Sequence, residues 1–422
     1  MDSQLQHNFR HLYADVLWYG VLAGSSMAFL SIYAARLGAN SYQVSLLTAG
    51  PAVVNLLFSL PVGRWLERQP LINATFWSAV LMRLGYLLYI PLPWLFAAQR
   101  ETWVFILLTI GMSIPGVILA IGFNALFADV VPPEWRGEVV GKRNALLALS
   151  MSLTSFFCGR MLYRIIFPLN YQLLFTLGGL GAALSTYHVG RLCPPQELPR
   201  RMNLPLDDLA RPGLMRFIDG LRAGVGLRYL TRLRGKKLLR LDLLRTSFGP
   251  LMGVYFLFYM FQYLPLPLFP LWYVNGLHLT DWEIGIGSAL FYGTMLLASL
   301  RLSRLSSRYG HRWVLYVGGL LFATFPLFTA LAWDAKLYWT ACFLGGGVYS
   351  LVNAGLINRL MERVPVGDRP AHMALHNLAL NLGILSGSLA APLIAGLIGL
   401  RDSLLISAGL RLLGGILLVL WG

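Results

Sequence analysis

The sequence predicts an all-α integral membrane protein, with 12 transmembrane helices in two pseudo-symmetric six-helix bundles. Its 422 residues are 57% hydrophobic and only 12% charged, whereas soluble domains carry about 25% charged residues. Apolar stretches recur along the whole chain, and each has the roughly 20 residues that cross about 30 Å of hydrocarbon. In addition, a polar hinge between two of these stretches recurs in the second half of the chain.

The polar hinge occupies residues 123–144, and its second copy occupies residues 352–377. In each copy an Asn near the end of one apolar segment precedes an Arg, and eight residues after that Arg comes another Asn. The pairs are Asn124 with Arg136 and Asn353 with Arg369. The second copy has four extra residues before its Arg, so the alignment is loose. Corresponding polar groups in two halves are typical of a duplicated transporter.

Twelve apolar segments are predicted to span the membrane, six on each side of a long basic segment. The N-terminus lacks a basic region followed by a cleavage site, so the first segment is expected to be retained as a span. The fifth is the least regular, because Arg160 and Arg164 lie in its far end and would have to extend to the membrane surface. The predicted spans are residues 12–36, 42–62, 72–97, 103–131, 142–166, 171–191, 246–274, 283–303, 313–333, 337–360, 371–397 and 402–421.

The distribution of basic residues predicts the orientation. If the N-terminus is cytoplasmic, 26 of the 34 Lys and Arg residues lie in inner segments and 6 lie in outer ones. Without the 13 from Arg191 to Arg245, 13 inner residues still exceed those 6. This excess is typical of cytoplasmic loops, so both termini are predicted to be cytoplasmic. Attraction to anionic lipids of the inner leaflet accounts for the net charge of +16 without nucleic acid.

The long basic segment, residues 193–245, divides the chain into an N-terminal bundle at 1–192 and a C-terminal bundle at 246–422. It begins with a proline-rich stretch and continues with Leu and Phe alternating with Arg at near-helical spacing. This pattern predicts an amphipathic helix on the inner leaflet. One interpretation is a basic linker that joins two bundles, and the other is a regulatory or partner-docking helix.

Two short loops carry parts of one motif. Between spans two and three the chain reads Gly63-Arg64-Trp65-Leu66-Glu67-Arg68. Between spans eight and nine it has Arg308, Gly310 and Arg312. With six spans on each side of a cytoplasmic segment, these loops resemble the major facilitator superfamily over essentially the whole chain. The family's loop is Gly-x-Leu-x-Asp-Arg-x-Gly-Arg-Arg, so the first copy keeps its beginning and the second keeps its end.

The resemblance implies two bundles that alternate between inward-open and outward-open states. In the family the acid of this loop meets the N-terminal end of span eleven when the cytoplasmic side is closed. A carboxylate is stabilised by a helix N-terminus and a nearby Arg, and Glu67 can take that part. The residues predicted for the inner gate are Gly63, Glu67, Arg68, Asp129, Arg136, Arg308, Gly310, Arg312 and Arg369.

Two signatures of the family are missing from the sequence. Span four has no intramembrane Arg of the kind associated with proton coupling, and span five has no Gly-Pro-Gly-Gly run. Both absences weigh against a proton-driven drug exporter.

Charged side chains inside the spans are costly and are therefore functional candidates. Asp15 and Asp129 are the only carboxylates expected within the membrane. A structural role would pair them with basic residues at the inner ends of spans, namely Arg10, Arg136 or Arg143. The alternative is ion coupling, for which the candidates are Asp15, Asp129 and Arg83. Arg83 and Arg411 are expected to turn inward onto backbone carbonyls or a neighbouring Asn, with anion binding as the alternative.

A substrate cavity is predicted between spans one, four, seven and ten, which face the centre in this family. Span seven is crowded with aromatic residues and has prolines at 265, 267 and 270 that must break or bend the helix. Aromatic walls with few charges favour a large apolar or amphiphilic ligand, and lipid-facing aromatics are the alternative. The predicted polar residues of the cavity are Asn124, Tyr259, Gln262, Asn353 and Asn358. The amides of the three asparagines can bond a substrate or bond across helices.

These features predict a secondary transporter that moves a small organic solute by alternating access, with export of an amphiphilic or hydrophobic compound as the leading direction. The alternatives are a lipid-translocating protein and a non-transporting scaffold or sensor with the same fold. No enzyme is predicted, because no cluster of Asp, His or Glu projects from the loops. The expected partners are a small-molecule substrate and membrane lipids. The expected form is a multi-pass monomer in a bacterial cytoplasmic (inner) membrane.

No cofactor or metal is predicted. His372 and His376 are one helical turn apart and that spacing can ligate a metal, but no carboxylate or Cys lies nearby in sequence. Histidines at the membrane interface are therefore the preferred interpretation. The three cysteines form no metal-binding spacing.

Overall fold

The computed structural model describes residues 3–66, 68–194, 241–364 and 369–421, and the described residues form helices and no strand. The long helices are α1 Ser3–Arg36, α2 Ser41–Leu66, α3 Leu71–Tyr89, α4 Ala98–Val130, α5 Pro133–Arg164, α6 Leu169–Gly190, α7 Phe248–Gly276, α8 Asp281–Leu302, α9 Arg308–Leu331, α10 Ala335–Arg363, α11 Arg369–Ile398 and α12 Leu400–Trp421.

The prediction of an all-helical membrane protein is confirmed. Eleven of the long helices in the described chain are long and apolar enough to cross a membrane. The helix α6 is not among those eleven, although its 22 residues are enough to span the hydrocarbon. Since α6 occupies the place of the sixth predicted span, the count of twelve holds approximately.

The helices pack mainly within two groups, α1–α6 and α7–α12. In the first group α1 packs on α5 and α6, while α4 packs on α2 and α3. In the second group α7 packs on α11 and α12, and α10 packs on the segment formed by α8 and α9. The two groups meet where α2 contacts α11, where α5 contacts α8, and where the last turns of α1 contact those of α7. We call the side on which α1 ends the Arg36 end, and the side on which α4 ends the Arg136 end.

Much of the predicted linker lies outside the described residues. Of residues 193–245, the structure describes 193–194 and a short 3-10 helix, Leu241–Arg245. The predicted amphipathic helix falls in the part that is not described. The boundaries of the linker and of the two bundles therefore stay predictions.

The predicted orientation can be tested with two exposed positions, Asn275 at the Arg36 end and the native Cys193 at the Arg136 end. An impermeant maleimide applied to intact cells should label Asn275→Cys in a Cys193→Ser background and should leave Cys193 of the unmodified chain unlabelled. The other two cysteines, Cys158 and Cys342, are buried and provide a low background. Labelling of Cys193 from outside, with Asn275→Cys protected, would reverse the orientation.

Candidate functional site

A cavity of about 460 Å³ lies between the two groups of helices. Its walls are predominantly apolar and aromatic, with Tyr19, Tyr86 and Tyr89 from the first group, and tyrosines and phenylalanines of α7–α10 from the second. Its lining includes a few hydroxyl and amide side chains and Arg411, and the described lining contains no Asp or Glu. Such a wall suits a ligand with a large apolar surface and few polar groups.

The helix α7 is broken beside this cavity because of its prolines. Pro265 has no N–H, so it cannot donate the helical hydrogen bond to the carbonyl of Phe261. The next donor, Leu266 N, bonds to the carbonyl of Tyr263 at 3.3 Å instead of continuing the α-helical pattern. The carbonyls of Phe261 and Gln262 therefore lose their helical partners at the level of the cavity.

Arg411 of α12 provides hydrogen-bond donors for these two carbonyls. Its Nε donates to the Phe261 carbonyl at 3.4 Å, and its Nη2 donates to the Gln262 carbonyl. Its guanidinium also lies over the rings of Phe322 and Phe269, 4.5 and 6.0 Å from their centroids. The side chain is buried, with 3% of the residue exposed, and it forms part of the cavity wall.

The structure brings one of the five predicted cavity residues to the cavity wall. Gln262 lines the cavity, and its Oε1 is buried without a hydrogen-bond partner in the described chain. Tyr259, one turn earlier, instead bonds through its hydroxyl to His376 Nε2 at 2.8 Å. Its ring therefore lies against α11 and outside the described lining.

The three predicted asparagines also lie outside the described lining. Asn353 Nδ2 donates to the Tyr349 carbonyl at 2.9 Å within α10. Asn358 Nδ2 lies 3.0 Å from His311 Nδ1 of α9. Asn124 is half-buried on α4, with its Nδ2 lacking a partner in the described chain. The roles of these side chains in substrate binding stay predictions.

The Arg36 end of the cavity is closed by contacts between the two groups. Arg36 Nη2 donates to Asp281 Oδ1 at 3.1 Å and to the Leu279 carbonyl at 2.6 Å. Tyr171 of α6 donates its hydroxyl to the same carboxylate oxygen at 3.0 Å. These charge-assisted bonds tie α1 and α6 to the start of α8.

Glycines allow α5 and α8 to touch next to this contact. A Cβ added at Gly159 would lie 2.7 Å from the Cα of Gly285, and one added at Gly285 would lie 2.6 Å from the Cα of Gly159. Further along the same pair of helices, Ser152 Oγ donates to the Ala289 carbonyl at 2.8 Å. The two groups are thus in backbone contact at this end.

Asp15 of α1 connects its own helix to three other helices of the first group. Its carboxylate receives Arg143 Nη2 at 3.0 Å and Ser185 Oγ at 2.6 Å, and Arg83 Nη2 lies 3.6 Å away. Arg83 also donates to Thr186 at 3.1 Å. Asp15, Arg83 and Arg143 are all at least 97% buried. Arg143 is one of the partners that the sequence suggested, and Arg83 faces a carboxylate rather than backbone carbonyls.

At the Arg136 end, Arg136 holds the last turn of α4. Its Nε donates to the Val131 carbonyl at 3.0 Å and its Nη2 donates to the Ala128 carbonyl at 2.9 Å. A basic side chain is favourable at a helix C-terminus, where carbonyls lack helical partners. Asp129 is exposed on the same turn.

Part of the predicted inner gate cannot be placed. Glu67 lies outside the described residues, and so does the side chain of Arg369 at the start of α11. Gly63 is buried near the end of α2, and Arg68 is exposed just beyond it. The gating role of this loop stays a prediction.

The second motif loop turns the chain between α8 and α9. Gly310 has a φ of 81°, a left-handed conformation that glycine adopts without steric cost. Arg308 lies over the ring of Tyr309, 5.4 Å from its centroid. Arg312 Nε donates to the Tyr316 hydroxyl at 2.6 Å. The left-handed backbone conformation at this turn thus explains why the motif has a glycine there.

One buried carboxylate was missed by the sequence reasoning. Glu101 is only 2% exposed, and its Oε1 accepts a hydrogen bond from the Tyr33 hydroxyl. The predicted fourth span begins at residue 103, whereas α4 begins at Ala98. The polar neighbours Gln99 and Arg100 concealed Glu101 in the sequence, because they suggested a loop.

Part of the sequence and the whole fold are similar to those of known proteins. The sequence model described as Major Facilitator Superfamily matches residues 251–422. The C-terminal part of the chain is therefore similar in sequence to the major facilitator superfamily. No curated protein sequence matches the chain.

Solved structures of transporters share the fold over the whole chain. The human organic anion transporter MFSD10 (TETRAN) is 16% identical with a TM-score of 0.61, and the alignment covers 99% of this chain and 100% of that one. The nucleoside transporter NupG is 12% identical with a TM-score of 0.66 and coverage of 100% and 99%. A bacterial homologue of the iron transporter ferroportin, in an inward-facing state, is 15% identical with a TM-score of 0.68 and the same coverage. At these identities the likeness shows the fold alone.

Proposed function

We propose that this protein is a secondary transporter that moves an amphiphilic organic compound across a membrane by alternating access. The observation that carries the proposal is the aromatic cavity between the two groups of helices. A central cavity between two related bundles is where the substrate binds in transporters that rock one bundle against the other. The closed Arg36 end fits one of the two access states of such a cycle.

The wall chemistry supports the class of substrate. The structural relatives are named for organic anions, nucleosides and iron, so the fold is compatible with several substrates. Here the wall offers many aromatic rings and few polar groups. A sugar or an amino acid would leave its polar groups unpaired against such a wall, and that costs free energy. A solute with a large apolar part would not.

We further propose export as the direction and a bacterial cytoplasmic membrane as the location. An amphiphile can enter a cell by partitioning through lipid, so active transport is needed mainly to remove it. The excess of basic residues in the predicted inner loops supports an orientation with both termini inside. The proposed partners are the solute and anionic inner-leaflet lipids, and the proposed form is a monomer. This role is transport and not enzymatic catalysis.

The proposal is tested with purified protein in detergent and in liposomes. A panel of amphiphiles should contain compounds that raise the melting temperature, because a ligand at about 100 times its Kd adds roughly 2.7 kcal/mol to the stability. The same compounds should cross the liposome membrane faster when the protein is present. Gln262→Ala should change which of them bind, since Gln262 lies on the cavity wall.

The matched control is Tyr255→Phe on the same helix. The Tyr255 hydroxyl donates to the Leu356 carbonyl at 2.8 Å and lies outside the described lining, so this variant should keep the substrate profile. If no compound stabilises or crosses, transport is refuted. A cellular effect that is then lost on deletion of residues 214–240 would establish the scaffold alternative.

A further inference from the structure

We propose that the substrate carries a negative charge and that Arg411 is its counter-charge on the cavity wall. This inference rests on the proposed function and names the chemical class of its substrate, an amphiphilic anion. It follows from the position of Arg411, from the partners that it has, and from the acidic partner that it lacks.

Arg411 is a charged group in the middle of the membrane. It is the twelfth of the 22 residues of α12, and it lines the cavity between the two groups of helices. A guanidinium stays protonated in proteins, so this part of the wall carries a full positive charge. A charge at that depth is costly unless something compensates it.

Of the three buried arginines among the described residues, Arg83 and Arg143 have an acidic partner and Arg411 does not. Arg83 and Arg143 share the carboxylate of Asp15. Arg411 has no ion-pair partner in the described chain, where it donates to two carbonyls and lies over two aromatic rings. In the described chain, the two buried arginines of the first group of helices therefore share one carboxylate, whereas the buried arginine at the cavity has no acidic partner.

The hydrogen bonds from Arg411 to the backbone of α7 do not use all of its N–H donors. A guanidinium has five N–H donors, and the broken turn of α7 takes one from Nε and one from Nη2. Within the described chain Nη1 has no hydrogen-bond partner. Two carbonyls could be bonded by a neutral donor, so the capping role does not explain the charge.

A second polar group on the same wall is also unsatisfied. Gln262 Oε1 is buried without a hydrogen-bond partner in the described chain, and the main-chain carbonyl of the same residue accepts a hydrogen bond from Arg411. The two residues are therefore neighbours in the cavity wall. A carboxylate or sulfonate would accept from Arg411, and a neighbouring N–H or O–H of the ligand would donate to Gln262. The aromatic rings around them would contact the apolar part.

The experiment compares two probes that differ by one charge. Dansyl-undecanoate and its methyl ester have the same fluorophore and chain, and binding is measured by dansyl fluorescence with the purified full-length protein at a pH where the acid is ionised. We expect the wild-type protein to bind the acid roughly 10- to 100-fold more tightly, because a charge-assisted hydrogen bond in a buried site is worth that factor.

The variants separate the charge from the capping role. Arg411→Gln keeps an N–H donor for the carbonyls of α7 but removes the charge, so the preference for the acid over the ester should be lost. Arg411→Lys keeps the charge and should retain part of the preference, although it loses the planar fork. Retained binding of the ester by Arg411→Gln shows that α7 and the cavity are intact in that variant.

Three results would contradict the anion inference or the proposed function. Binding of both probes with equal affinity by the wild-type protein overturns the anion inference and leaves the proposed function standing, and this result needs no variant. Equal loss of both probes in Arg411→Gln and Arg411→Lys would mean that Arg411 only holds the break in α7. If the wild-type protein binds neither probe nor any compound of the amphiphile panel, the proposed function itself fails.

Discussion

Replacing Asp15 by Asn is expected to destabilise the protein by about 3–5 kcal/mol, because removing one partner of a buried ion pair leaves uncompensated charge behind. Here two guanidinium groups, those of Arg83 and Arg143, would remain buried without their shared carboxylate. The Ser185 hydroxyl would also lose its anionic acceptor. The measurement is the unfolding free energy or melting temperature of the purified variant in detergent.

The control for this prediction is Asp402→Asn. Asp402 is an exposed carboxylate in the first turn of α12, and its loss should change the stability by less than about 1 kcal/mol. The result also decides between the two roles considered for Asp15. A stable Asp15→Asn variant that binds its ligand but no longer couples transport to an ion gradient would assign Asp15 to coupling and contradict the structural role.

Gly285→Ala is expected to open the Arg36 end. The added Cβ would lie 2.6 Å from the Cα of Gly159 and 2.9 Å from the carbonyl oxygen of Ser155, and both are backbone atoms. Since backbone cannot rotate away, α5 and α8 must separate. Overpacking of this kind costs about 1–3 kcal/mol, which favours the state open at the Arg36 end by roughly 5- to 150-fold.

The opening can be followed with a cysteine at Ser31, a residue of the cavity wall, in a Cys193→Ser background. An impermeant maleimide added on the side of the Arg36 end should label Ser31→Cys much faster when Gly285→Ala is present. The matched control is Gly293→Ala on the same helix, where the added Cβ would meet Ser152 Oγ at an ordinary 3.5 Å. Equal labelling in the two variants would remove the α5–α8 contact from the closing mechanism.

The fold could be predicted well from the sequence because hydropathy, the signal for a membrane span, is local. Each span needs only a run of apolar residues, and hydrocarbon thickness sets its length. The boundary at α4 was less accurate, since Gln99 and Arg100 extend a helix that hydropathy alone begins later. Glu101 was missed for that reason, although its position four residues before Phe105 places both on one helix face.

The site was harder to predict because it depends on helix rotation and on tertiary pairs. A span that is apolar all round gives no hydropathy signal for the face that turns inward, so Asn358 and Tyr259 were expected at the cavity and lie against His311 and His376 instead. Arg411 was expected to bond backbone carbonyls, and it does so. The sequence contained the prolines that free those carbonyls, but the pairing of α7 with α12 appears only in the structure.

The polarity of α6 has a consequence for how the chain enters the membrane. Its buried Gln172 donates to the Ile90 carbonyl beyond α3 at 3.0 Å, and its Ser185 donates to Asp15 of α1 at 2.6 Å. A segment whose polar groups are satisfied only by other helices is poorly stabilised as a lone helix in lipid. We therefore expect α6 to insert with the help of α1 and α3, which the ribosome has already delivered. Biogenesis of the first bundle would then be cooperative, and a truncated chain that lacks α1 should leave α6 outside the bilayer.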